Sequence, residues 1–276
     1  MSPWIGLRRA LLEVSGPDAR VFLQNLLTQD LEHLGEKHVV YAALLSPQGK
    51  VITDMFVWAW RDGGILLDVP PARATALSAR LNMYKLRSNV SVAECHAPIG
   101  VVATLEQNTW SDPRQPNGAF GSRNIFENAT MPPFDDELYE QWRINLGVPN
   151  LERDAAPEEV FAGEALLDEL HGVAFDKGCF VGQENVSRMK RRATTRKKFC
   201  PVVFDGGPIA FGTPVFAGEA DIGSVRTGLA GRAIALLRLD RALDAVSGGK
   251  SLTAAGRAIR LDPPPWLILP QREDEV

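Results

Sequence analysis

The sequence predicts an α+β protein of two domains, on three observations. Its 276 residues are roughly twice the ~100–200 that one domain takes. Up to residue 200 the apolar residues fall into helix-spaced and strand-like stretches by turns, which gives strands with helices between them. From 201 onward PVVF, TPVFA, IGSVR, RAIALLRL and RAIRL are short strand-like runs separated by glycine-rich turns, as in a small antiparallel barrel or sandwich. The expected division is therefore 1–200, with room for two intertwined subdomains, and 201–276.

Each element has its own warrant. Residues 5–14 end in a Val-Ser-Gly-Pro break, after which Ala19, Phe22, Leu23, Leu26 and Leu27 share one helical face behind Pro17 and Asp18. VVYAALL (39–45) and VITDMFVWAW (51–60) flank Ser-Pro-Gln-Gly and predict a hairpin; Asp62-Gly63-Gly64 then turns the chain into ILLDV, giving an antiparallel meander. Pro71 opens a helix with Ala74, Leu77, Leu81 and Tyr84 on one face, and strands follow at 89–95 and 99–105. The Asn-, Pro-, Gly- and Ser-rich stretch 106–134 predicts a surface loop around a short strand near Phe120. A helix over 135–146 carries Leu138, Trp142 and Leu146, starts on three acids and stops at Gly147. Leu166, Leu167 and Leu170 predict another over 163–170.

Composition excludes several classes. Apolar residues at 45% and charged residues at 23% are ordinary for a globular protein, which excludes a disordered chain. A net charge of -4, from 30 Lys and Arg against 34 Asp and Glu, gives no global field for nucleic acid. Three cysteines (Cys95, Cys179, Cys200) make no disulfide framework, which fits a reducing compartment, a bacterial cytoplasm or a mitochondrial matrix. No apolar run approaches the ~18 residues of a membrane span, so a soluble protein is expected, and a monomer.

The most unusual stretch is Asp176-Lys177-Gly178-Cys179-Phe180-Val181-Gly182-Gln183-Glu184, followed by Arg188. Two glycines around a cysteine permit a positive φ or a close backbone approach beside the thiol. Nearby Lys177 and a following helix would favour the thiolate; the alternative is a buried structural cysteine. Residues 187–198 then bring Arg188, Lys190, Arg191, Arg192, Arg196, Lys197 and Lys198 with no acid among them, either a solvated face or a dock for a carboxylate- or phosphate-rich ligand. The strip lacks the interleaved aromatics of base stacking, so direct RNA binding is not expected.

KGCFVGQE with Arg188 resembles the signature of the YgfZ family, folate-binding proteins related to the glycine-cleavage T-protein, whose pattern is Lys-Gly-Cys-aromatic-x-Gly-Gln-Glu. FLQNLLTQDL (22–31), LLSPQGKVITDMFV (44–57), LNMYKLRSNV (81–90), WRINLGVP (142–149) and IGSVR…AIALLRL also look like that family, in its order. The resemblance implies a T-protein-like folate-binding α/β region in a ring-like arrangement with a small C-terminal β-barrel, and tetrahydrofolate as ligand. It implies Cys179 as the functional cysteine with Lys177 as its chemical neighbour. It places Gln183, Glu184, Arg188, Arg143 and Trp142 near the folate. A pterin needs paired donors and acceptors, for which Gln183 or Glu184 would serve, and a polyglutamate tail needs cations such as Arg191 and Arg192. Glu184 would equally pair with Arg188 four residues on.

By the same resemblance the protein is an accessory factor more than an enzyme. It would support iron-sulfur enzymes such as the tRNA methylthiotransferases, beside A-type carrier proteins. The alternative is a folate-dependent aminomethyltransferase, one-carbon transferase or demethylase. Against it, the catalytic aspartate of true T-proteins has no counterpart, since no Asp lies between Asp68 and Asp112; Asp68 and Asp54 are the nearest substitutes. His33, His38, His96 and His171 lack metal-ligand spacing, and three cysteines without a C-x-x-C would not hold a permanent cluster. Of six tryptophans, Trp4, Trp58, Trp60, Trp110 and Trp266 suit core packing.

Overall fold

Strand pairing organises the chain into two antiparallel sheets and a closed barrel. The computed structural model describes residues 4–270 other than 33, 98, 107–110, 116–117, 128–130 and 193–194, and other than the side chains of 36 and 37. Trp110 and His33 therefore lie outside the described residues. In order, the first elements are β1 (Ile5–Leu7), β2 (Ala10–Ser15), α1 (Ala19–Gln24), α2 (Leu34–Lys37), β3 (Val39–Leu45), β4 (Val51–Ala59), β5 (Ile65–Val69), α3 (Pro71–Tyr84), β6 (Ser91–Glu94), β7 (Gly100–Thr104) and β8 (Ser122–Phe126). Then come α4 (Asp136–Leu146), α5 (Leu151–Asp154), α6 (Gln183–Arg191), β9 (Lys197–Phe204), β10 (Pro214–Ala217), β11 (Ala220–Leu229), β12 (Arg232–Arg238), α7 (Leu239–Ser247), β13 (Leu252–Ala254) and β14 (Arg257–Leu261).

The chain falls into two interleaved units, Met1–Tyr139 with Leu170–Gln183, and Glu140–Glu169 with Glu184–Val276. The 200/201 boundary drawn from the sequence falls inside β9.

The first unit is built on the sheet β3-β4-β5-β2-β6. The expected meander is its β3-β4-β5 part, with Tyr41 opposite Phe56 and Phe56 opposite Asp68. Alternation along β4 divides the sheet's two faces. Met55 and Val57 join Leu23, Leu27, Leu44, Leu67, Leu77 and Leu81 in the main core under α1 and α3. Asp54, Phe56 and Trp58 point the other way. Pro71 opens α3 as N1, where its missing N–H costs nothing. A second sheet, β1-β7-β8, has its own small core of Leu7, Leu11, Val101 and Ala103.

The second unit carries the closed barrel β10-β11-β12-β9-β14-β13, the antiparallel barrel that the glycine-rich turns predict. Three stretches differ from expectation. In the first unit, 106–134 is not simply a surface loop, since Asp112, Arg114, Gln115, Phe120, Ser122 and Arg123 within it are buried. Residues 163–170 form successive turns instead of a helix, because Leu166 takes φ 61 and breaks the helical ladder; Leu166 and Leu167 are buried all the same. Helix α7 is not legible as an apolar stripe, since its buried residues include the small Ala242 and Ala245 beside Leu239. Among the described residues no helix is long and apolar enough to cross a membrane.

Candidate functional site

The segment before α6 alternates between anchored and displayed residues: Lys177 and Phe180 are buried, while Gly178 and Cys179 are exposed. Val181 packs against the main core of the first unit. Gly182 has φ +83, and a Cβ there would stand 2.7 Å from the Ser46 carbonyl oxygen at the β3–β4 turn, so glycine is required. Gly178 has open space around it and no positive φ, so of the two glycines around the cysteine only the second is demanded by geometry. Cys179 is the exposed cysteine; Cys95 is half-buried and Cys200 is buried. Burial pushes the Cys200 thiol up to about 12, which makes it inert.

Lys177, expected as the chemical neighbour of the thiol, is held by backbone carbonyls. Its Nζ donates to the backbone carbonyls of Gln24 at 2.7 Å, Leu27 at 2.8 Å and Gln29 at 2.8 Å. An ammonium has three protons, and all three are thus spent on the end of α1 and the turn after it. Burial pulls this ammonium down to about 8, against the attraction of Asp30 and Glu32.

Arg143, expected near a folate, is enclosed by hydrogen-bond acceptors of the second unit. In the second unit its Nε and Nη2 donate to the two carboxylate oxygens of Glu140, Nη1 to the Val148 carbonyl and to Asp154 Oδ2, and Nη2 also to Thr227 Oγ1. Those are the five N–H donors a guanidinium owns, and the side chain is 2% exposed. Arg143 therefore ties α4 to α5 and β11 and has no donor left for a folate. Asp154 is the other hub, accepting from the Asn150 and Thr227 amides as well. The sequence gives no sign of this cluster because its partners lie as far as 84 residues away. Trp142 beside it is half-buried.

Helix α6 carries Glu184 and the first cations of the basic strip. Val186 is buried, while Glu184, Arg188, Lys190 and Arg191 are exposed and Arg192 follows exposed. Arg188 donates to Asn185, and Lys190 bridges to Asp168 at 3.0 Å. Lys198 is buried on Glu169 and the Ile268 carbonyl. The basic strip is thus not one solvated face: Lys198 is buried, Lys190 is paired with an acid at the surface, and Arg191 and Arg192 stand outward.

The other face of the first unit's large sheet holds the aspartates weighed as substitutes. Asp68 is fully buried, with Arg9 at 2.5 Å and Arg123 at 2.7 Å. Burial alone would raise its carboxyl; Arg123 and Arg9 outweigh that and hold it below the usual range. Asp54 accepts from the Tyr41 hydroxyl at 2.9 Å. Arg114, paired with Asp112, lies over Phe56 and Phe120 and donates to the Tyr139 hydroxyl. Among the described tryptophans Trp58 is buried, whereas Trp4, Trp60 and Trp266 are half-buried. No group of three or more His, Cys, Asp or Glu suited to a metal ion occurs among the described residues.

Comparison with known proteins places the barrel first. Residues 196–268 match the CAF17 C-terminal beta-barrel domain. Across the longer chain, the iron-sulfur cluster assembly factor IBA57 homolog, mitochondrial, of Phaeosphaeria nodorum is 30% identical over 233 residues, 72% of this chain and 54% of that protein. The homolog from Mycosarcoma maydis is 30% identical over 71% of this chain and 55% of its own length. The chain thus spans about half the length of these fungal relatives. The mouse iron-sulfur cluster assembly factor IBA57, mitochondrial, is 28% identical over 83% of this chain and 75% of its own. The chain belongs to the IBA57 family. The YgfZ family that the sequence motif had suggested is related to it. The fold is that of the glycine cleavage system aminomethyltransferase T from Bartonella henselae, with TM-score 0.72 and 16% identity over 98% of this chain and 86% of that one.

Proposed function

We propose that this protein is an iron-sulfur cluster assembly factor whose working group is the Cys179 thiolate, assisted by a folate held along α6. The observation that carries this reading is the display of Cys179: an exposed thiol on a segment whose neighbours Lys177, Phe180 and Val181 are anchored and whose Gly182 permits no side chain. A rigidly presented thiolate suits ligand exchange with a cluster that arrives and leaves as cargo. One thiolate fills one coordination position, so the remaining ligands would come from a partner such as an A-type carrier or the client enzyme. The names of the IBA57 relatives support the same reading.

The donor set on α6 fits a folate. Glu184, Arg188 and Arg191 lie at i, i+4 and i+7 on one helical face, a span of roughly 10 Å at 1.5 Å per residue. Gln183 and Glu184 supply an amide and a carboxylate for the pterin; Arg191 and Arg192 supply cations for the glutamate tail. Tetrahydrofolate, when bound, would bring a one-carbon acceptor. The residues here only bind and orient it, because Asp68 is committed to Arg9 and Arg123 and Asp54 to Tyr41. That arrangement argues for an accessory factor over an aminomethyltransferase.

The deciding experiment is complementation of a strain lacking its own assembly factor with Cys179→Ala. Loss of iron-sulfur enzyme activity with unchanged circular dichroism and tetrahydrofolate binding is expected. Full complementation would make the thiol dispensable and end this reading.

A further inference from the structure

The three protons of Lys177 are matched to three carbonyl oxygens, and that match does more than neutralise a buried charge. Gln24, Leu27 and Gln29, whose carbonyls accept them, surround Thr28, a fully buried residue. Thr28 is itself fastened to β3: its amide donates to the Ala43 carbonyl at 3.0 Å, and its Oγ1 accepts from the Ala43 amide at 2.8 Å. From that fixed position Thr28 reaches the cysteine segment twice. Its Oγ1 donates to the Gly172 carbonyl at 2.5 Å, and its own carbonyl accepts from the Ala174 amide at 3.0 Å. Gln29 Nε2 adds a bond to the His171 carbonyl at 2.5 Å. The segment from 171 to 177 is therefore laid along residues 24–29 by six hydrogen bonds, each crossing more than 140 residues of sequence. Lys177 is the last of these ties before the thiol, and its ammonium also stands 5.5 Å from the ring centre of Phe180, on the far side of Cys179.

We infer that Lys177 and Thr28 are a positioning pair: together they fix the segment that presents Cys179, and neither takes part in the chemistry of the thiol. The inference rests on the reading of Cys179 as the working group. Its physical basis is donor count. A methionine at 177 has nearly the length of lysine but donates nothing, so it leaves three carbonyls without their partner. A valine at 28 keeps the shape of threonine and removes the hydroxyl that joins Ala43 to Gly172.

The test uses the full chain and the variants Lys177→Met and Thr28→Val, with two readouts that do not involve iron-sulfur activity. The first is amide hydrogen exchange over 172–182, with β9 as internal control. The second is the ratio of Cys179 alkylation rates by a bulky maleimide and by iodoacetamide, resolved by peptide mass spectrometry. The thiolate is the nucleophile toward both reagents, so the ratio cancels the ionised fraction and reports geometry alone. Each variant is expected to speed exchange over 172–182 by about tenfold or more, leave β9 unchanged and raise the bulky-to-small ratio at least about threefold. If Lys177→Met leaves exchange and ratio at wild-type values while both reagents slow together, the lysine acts on the thiol and the inference is overturned. Equal acceleration in β9 means global loss of stability and overturns it too. Should Lys177→Met fail to fold, Thr28→Val is judged by the same criteria. Complementation by Cys179→Ala would remove the functional reading yet leave these geometric readouts standing, so the two failures are distinguishable.

Discussion

Asp68 and Arg123 meet at 2.7 Å with side-chain exposures of 0% and 1%. Arg9 closes the other carboxylate oxygen, and the Arg123 guanidinium lies 3.9 Å from the ring centre of Phe56. An aspartate in this position of the fold invites a catalytic reading; its surroundings make it the centre of a buried ion triad.

Breaking that triad should be costly. Removing one partner leaves an uncompensated buried charge, worth about 3–5 kcal/mol. Asp68→Asn and Arg123→Met are each expected to lower the unfolding free energy, read from urea denaturation at pH 7, by an amount of that size. Because the Asp68 carboxyl is held below its ordinary value, its contribution is present at neutral pH and fades as pH falls through the folded-state value. A loss under about 1 kcal/mol for both variants would show that the triad is not what holds β5 to β8.

A second buried cluster carries the opposite sign. Burial, and then the adjacent Asp168 carboxylate, lift the Glu169 carboxyl to about 8, against the pull of Lys198. The folded state then binds a proton that the unfolded chain releases near 4.5. Stability from this group is fully present below the unfolded value and is lost as pH rises toward 8. Glu169→Gln, which mimics the protonated acid, should match wild type near pH 5 and exceed it near pH 8, as read by thermal unfolding across that window. Parallel pH profiles for the two proteins would mean that Glu169 is ionised in the folded state.

Those two clusters also show where the sequence stops being informative. The β3–β4 hairpin and α3 are legible because their signals are local: alternation around Ser-Pro-Gln-Gly in one, a proline and a leucine stripe in the other. The barrel is legible from its turns. Residues 163–170 mislead, since three leucines at helical spacing are buried by turns through Leu166 at φ 61. The KGCFVGQE motif marks the displayed cysteine, but not the task of its lysine, whose nearest-numbered acceptor is 148 residues away. Arg143 likewise reads as a ligand cation until Asp154 and Thr227 are seen to claim it. Sequence spacing reports which residues share an element; it is silent on which polar atoms from distant elements have already satisfied one another.

Arg191 and Arg192 differ from Arg143 in that respect: both are exposed, at and just past the C-terminal end of a helix whose Lys190 is already paired with Asp168. If α6 holds a folate with its tail toward the helix C-terminus, their charges act on the glutamates and not on the pterin. Arg191→Glu with Arg192→Glu should therefore weaken a polyglutamylated tetrahydrofolate about fivefold or more while changing monoglutamate affinity little, and the difference should shrink as ionic strength rises. Calorimetric titration of both ligands at two salt concentrations measures this directly. Stability should stay within about 0.5 kcal/mol of wild type, because neither side chain is packed. Equal losses for the two ligands would place the tail elsewhere. A loss confined to the monoglutamate would reverse the proposed direction of the ligand along the helix.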